Sequence, residues 1–122
     1  MRPVMQTKFG MEGNCLAACV ASIFEISIDE FPELVEGPDW YTQFTNFMVE
    51  RFGVQPVDLH HGEGYIDNAP RGYYIANGPA ARGLEHSVVG YGNRLIHDPH
   101  PDGGFLNRVR SRTFFIWLDL NT

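Results

Sequence analysis

At 122 residues and 43% hydrophobic content the chain suits one compact core and is too short for two, so a single domain spanning 1–122 is expected. Nine Lys and Arg against fifteen Asp and Glu leave a net charge of −6 with no run of like charge, which argues against nucleic acid or an anionic membrane as the main partner. The opening MRPVMQTKFG carries no apolar signal core and no 18-residue apolar stretch follows, while the two cysteines lie four apart, outside CxxC spacing; a reducing cytoplasmic setting without disulfides is expected.

In EGNCLAACVASIF, residues Leu16, Cys19, Val20, Ile23 and Phe24 fall at i, i+3, i+4, i+7 and i+8. That spacing predicts a helix from Cys15 to about residue 25 with this stripe packed on the sheet. Asn14 is the expected N-cap, and Gly13 frees the entering turn. Ser27 with Glu30 has the capping-box pattern, which Pro32 limits to a short turn. Trp40, Phe44, Phe47, Met48 and Arg51 then repeat with helical spacing, predicting a second helix over about 39–52 with Gly53 as its C-cap.

Beyond Gly53 the period becomes strand-like. VQPVDL reads as a short edge strand because Pro56 cannot donate to a central ladder. GYYIA, HSVVGY, RLIHD and TFFIWLDL are rich in β-branched and aromatic residues and are separated by Gly, Pro and Asn. The class is therefore α+β, with N-terminal helices packed on a small antiparallel sheet. Trp117 on the last strand is expected in the core. Trp40, Tyr41 and Phe44 read as core first and as a substrate platform second.

A cysteine at a helix start sits where unpaired backbone N–H groups favour negative charge, so the Cys15 thiolate is expected to form below the free value of roughly 8.5. Cys19, one turn inside, falls on the apolar stripe and reads as core packing. Cys15 alone also reads as buried filler; its downstream company gives it chemistry. A thiolate nucleophile needs a histidine as acid and base, and the histidine needs an orienting group. In EHSVVGYGNRLIHDP, a three-residue loop at Tyr91, Gly92 and Asn93 pairs Gly90 with Arg94 and hence His86 with Asp98, side chains on one face roughly 5 Å apart. A two-residue loop pairs His86 with Pro99 instead.

The run QTKFGMEGNCLAAC, followed far downstream by EHSVVGY and LIHDP, resembles the papain-like cysteine hydrolases, most closely the C39-like peptidases. The resemblance covers the first 25 residues and 85–99, and elsewhere only the order of elements. It implies a papain-like fold with Gln6 as the oxyanion-hole glutamine, Cys15 as nucleophile, His86 as base and Asp98 as the residue that orients it. Nine positions separate Gln6 from Cys15, more than the family's usual spacer. The implied activity is cleavage of a peptide, isopeptide or other amide bond through an acyl-enzyme, on a peptide or protein substrate. An acyltransferase using the same cysteine, and a non-catalytic papain-like binding or inhibitor module, are the alternatives.

Other constellations carry less. His97, Asp98, His100 and Asp102, with His60 and His61, match no closed zinc spacing, so neither a metal nor another cofactor is expected. GYYIANGPAARG lacks the glycine pattern and lysine of a nucleotide loop. Ala76, Asn77 and Gly78 read either as a cleft wall beside His86, with Arg82 at its mouth, or as a solvated hairpin tip.

Overall fold

The structure, a computed structural model, describes residues 1–10, 13–60 and 72–118. Helix α1 spans Cys15–Phe24, a 3-10 turn spans Ile28–Glu30, and α2 spans Trp40–Phe52. Five strands follow: β1 Val54–His60, β2 Tyr73–Pro79, β3 Glu85–Tyr91, β4 Arg94–His97 and β5 Ser111–Trp117. They form one antiparallel sheet in the order β1-β5-β2-β3-β4. The α+β class, the short capped turn at Ser27 and the Gly53 C-cap at φ 68° agree with the sequence reading. So does Pro56 on an edge strand, opposite Phe115 and free of a second neighbour. No helix among the described residues is long and apolar enough to cross a membrane.

The buried surface of α1 is broader than the expected stripe. Ala17, Ala18, Ala21 and Ser22 are buried along with Cys19 and Val20, whereas Leu16, Ile23 and Phe24 are half-buried. The reason is a second cover. One side of α1 packs on β3 and β2, while the N-terminal segment is tied to the helix by Arg2 N–H on the Ser22 carbonyl (3.0 Å) and Val4 N–H on Ser22 Oγ (2.9 Å). Small side chains let that segment approach.

On the helix-facing side of the sheet, registered neighbours divide into two halves. Val54, Phe115, Ile75 and Val89 meet Cys19, Val20, Phe44 and Met48 in the main core. Asp58, Thr113, Ser111, Asn77 and Ser87 continue the same faces of the same strands. Those five are polar, and they floor a cavity instead of filling a core. Trp117 lies past the last aromatic contact of this face and is 73% exposed, so its expected core position is wrong.

The β3–β4 hairpin also departs from expectation. Tyr91 pairs with Arg94, leaving a two-residue loop of Gly92 and Asn93, and a bulge then moves the pairing from Gly90↔Leu95 to Val89↔His97. The expected direct pairing of His86 with Asp98 is therefore incorrect. The shorter loop and the bulge each shift the pairing by one residue in the same direction, and a shift of two returns Asp98 to the face that carries His86. Gly90 permits the bulge: a Cβ there would lie 2.4 Å from the Tyr74 ring, and that ring's hydroxyl donates to the Gly92 carbonyl at 2.8 Å.

Candidate active site

The first turn of α1 is built around Asn14, which stands at the expected N-cap position with its carbonyl accepting the Ala18 N–H at 3.0 Å. Its side chain makes no cap hydrogen bond. Its Oδ1 instead accepts the N–H groups of Thr7 and Lys8, each at 2.9 Å, and its Nδ2 donates to Thr7 Oγ1 at 2.8 Å. The loop before the helix is thereby fastened to the helix start, and Asn14 does not neutralise the field of the first-turn amides. Gly13 serves close approach: a Cβ there would meet the Gly10 carbonyl at 3.0 Å and Gln6 Nε2 at 3.7 Å. Gln6 is buried, its N–H donates to the Pro99 carbonyl (3.0 Å), and its Nε2 donates to the Lys8 carbonyl (2.9 Å). Its Oε1 has no partner among the described residues. Gln6 thus lies between the helix start and the residue after Asp98.

His86 and Asp98 meet at 2.7 Å, Nε2 to Oδ1, both buried. Asp98 is held on both oxygens: His100 N–H donates to Oδ1 (2.9 Å) and Phe105 N–H to Oδ2 (2.7 Å). Phe105 has φ 56°, a strained conformation for an aromatic residue, and delivers its amide to the carboxylate in that conformation. Burial alone would raise the Asp98 carboxyl, but the His86 hydrogen bond, the two amides and the His86 charge hold it below the usual carboxylate range.

With Nε2 committed to Asp98, Nδ1 is the His86 nitrogen left for Cys15. The two groups are coupled, each shifting the titration of the other. Burial pushes the Cys15 thiol up; the hydrogen bond and charge of His86, with a smaller contribution from Ser87, outweigh it and bring the thiol below its ordinary value. Burial lowers His86, while its hydrogen bonds to Cys15 and Asp98 and their charges leave it above its ordinary value. Thiolate and imidazolium therefore favour one another. Ser87 was absent from the sequence reading, and its signal was a hydroxyl at an inward position among valines.

From Ser87 a chain of donors runs along the floor of the cavity. Ser87 Oγ donates to Asn77 Oδ1 (2.8 Å), Asn77 Nδ2 to Ser111 Oγ (3.2 Å) and Thr113 Oγ1 (3.1 Å), and Thr113 Oγ1 to Asp58 Oδ1 (2.6 Å). The cavity holds about 240 Å³ and is walled by Leu16, Trp40, Tyr41 and Phe44. Phe44 is buried, but Tyr41 is 38% exposed, so these aromatics serve both core and cleft. Asn77 does stand beside His86, opposite Ser87, with Gly78 opposite His86 itself. Arg82 lies exposed in the following turn. The His97, Asp98, His100 and Asp102 cluster does not converge: His97 Nε2 bonds the Val4 carbonyl (2.8 Å), Asp98 faces His86, and His100 Nδ1 accepts from the Asp102 amide (3.0 Å). His61 lies outside the described residues. Among those described, no three His, Cys, Asp or Glu side chains gather as a metal site. No protein-family model matches the chain, and comparison with curated proteins and with solved structures finds no match either.

Proposed function

We propose that the chain is a papain-like thiol hydrolase that cleaves an amide bond in a peptide, protein or amide-linked conjugate. The observation that carries the reading is His86 held between two partners, Asp98 at 2.7 Å on Nε2 and the lowered Cys15 thiol on the other side. In this reading Cys15 Sγ attacks the substrate carbonyl carbon, and the carbonyl electron pair moves to oxygen. The developing oxyanion is met by the Cys15 backbone N–H and by the Gln6 Nε2 proton that Lys8 does not use. The C–N bond then breaks, His86 gives its Nδ1 proton to the departing amine, and a thioester remains on Cys15. Water attacks the thioester, its proton passes to His86, and the carboxylic acid leaves as the thiolate is restored. Asp98 holds the ring and its charge throughout. A thiol held reactive in this way suits a reducing compartment such as the cytoplasm.

The test is a panel of acyl, peptide and ubiquitin-like substrates with wild type and Cys15→Ala, read by product formation and by mass spectrometry of the intact protein. Turnover and an acyl adduct on Cys15, both absent in the variant, support the reading. A folded wild type that gives neither adduct nor product across the panel favours the binding module. An added amine that captures the acyl group in place of water identifies acyl transfer.

A further inference from the structure

We propose that the cavity beside Cys15 is a specificity pocket for a basic side chain, lysine or arginine, of the substrate, with Asp58 as the counter-charge. The inference rests on the thiol-hydrolase reading and deepens it. Three observations converge on it.

The first is position. Leu16, the residue after Cys15, and Ser87, whose backbone and side chain act on the Cys15 thiol, both line the cavity. An occupant of the cavity therefore belongs to a residue at, or next to, the one whose carbonyl is attacked. The second is polarity. Every step from Ser87 through Asn77 and Thr113 donates toward Asp58. What remains at its far end is an acceptor. Among the described residues no Lys, Arg or His nitrogen lies within 4.0 Å of an Asp58 oxygen; the ion pairs join Arg51 to Glu30, Arg110 to Glu85 and His86 to Asp98. A carboxylate that faces a cavity, with one oxygen unpartnered among the described residues, calls for a donor, and for a charged one most strongly.

The third observation is shape. At about 240 Å³ the space matches roughly eight waters at about 30 Å³ each, the room of one long side chain and not of a folded segment. Trp40 and Tyr41 wall it with aromatic rings, which attract a cation over their faces and cover the methylene stem of a basic side chain. Tyr41 is also anchored, its hydroxyl donating to the Pro56 carbonyl at 3.1 Å, so the wall is fixed in place.

The experiment alkylates Cys15 with dipeptidyl chloromethyl ketones carrying lysine or its uncharged isostere norleucine at either of the two residues. Each rate is divided by the same protein's rate with iodoacetamide. At one of the two positions, wild type should react at least tenfold faster with the lysine probe than with the norleucine probe. In Asp58→Asn, which keeps an acceptor for Thr113, the ratio should fall below threefold, and in wild type it should shrink with added salt. Equal lysine and norleucine rates in wild type at both positions overturn the pocket and leave the thiol reading standing. A lysine preference that survives intact in folded Asp58→Asn overturns the assignment to Asp58. A Cys15 inert to iodoacetamide and to both probes overturns the thiol reading itself.

Discussion

Cys15 and Cys19 stand one turn apart on α1 and face opposite surroundings. Cys19 is fully buried beside Val20, Phe44, Ile75 and Val89, and its thiol is pushed well above the ordinary value, by burial first and then by the charges of Cys15 and Asp98. Cys15 is half-buried at the helix start, and its thiol lies below the ordinary value. Burial is the largest cause at both positions and raises both. The difference is therefore made by partners: His86 and Ser87 touch one sulfur and leave the other alone. Four residues of helix separate a nucleophile from a piece of core, and the loop and strand that arrive at the first turn decide which is which.

The strongest way to break the comparison is Cys15→Ala, which should abolish turnover and all thiol labelling of the folded protein while leaving its fold intact. His86→Ala comes next. It removes the contacts that offset burial at Cys15, so Cys15 should shift toward Cys19-like behaviour, and turnover should fall roughly 10²- to 10⁴-fold, the span of a general acid–base group. A steady-state assay with labelling at several pH values checks both.

Asp98→Asn should cost less activity than His86→Ala, because an amide oxygen at the Oδ1 position still accepts from His86 Nε2 and from the His100 amide. The amide nitrogen then faces the Phe105 N–H that Oδ2 now accepts, a donor against a donor, and denaturant melts should show about 1–3 kcal/mol of lost stability. The sign of its pH dependence follows from the depressed carboxyl. The unfolded chain binds the proton first as pH falls, so Asp98 contributes stability above about 3.9 that disappears as pH falls through its folded value. In the variant that acid limb should be missing. Cys19→Ala is the smallest change: about 1 kcal/mol and roughly 4 °C in Tm for a small buried group, with turnover unaltered. Loss of turnover in a folded Cys19→Ala protein would exchange the two thiols' roles.

Much of this contrast is legible in the sequence, and the failures share one cause. The helices, the order in which the strands appear, the edge position of β1 and the place of Cys15 at the start of α1 follow from local periodicity and turn residues. The hairpin does not. Its bulge falls at Val89 and Gly90, where the Tyr74 ring of the neighbouring strand lies over Gly90, a contact that no reading of 85–99 alone contains. Asn14 holds the N-cap position that the local rule gives it, but its side chain turns back to take the Thr7 and Lys8 amides, which a reading of the helix alone does not contain. Trp117 has core chemistry and alternates inward, yet the helices end before they cover it. Asp58 and Ser87 are likewise invisible singly. They become a site only when register brings five polar positions of four strands to one half of a sheet face.

The most direct measurement is the rate of iodoacetamide labelling of each cysteine against pH in the folded wild type, located by peptide mass spectrometry. Cys15 has a lowered pKa and its partner His86 a raised one, so each favours the charged form of the other, with Asp98 and the His100 ring, 6.2 Å away, as the other titratable groups around His86. Cys15 should label rapidly already near pH 6 and Cys19 only after denaturation. His86→Ala should move the Cys15 profile to higher pH. A Cys15 that labels only at the pH of an ordinary thiol, with a profile unchanged by His86→Ala, would contradict the account.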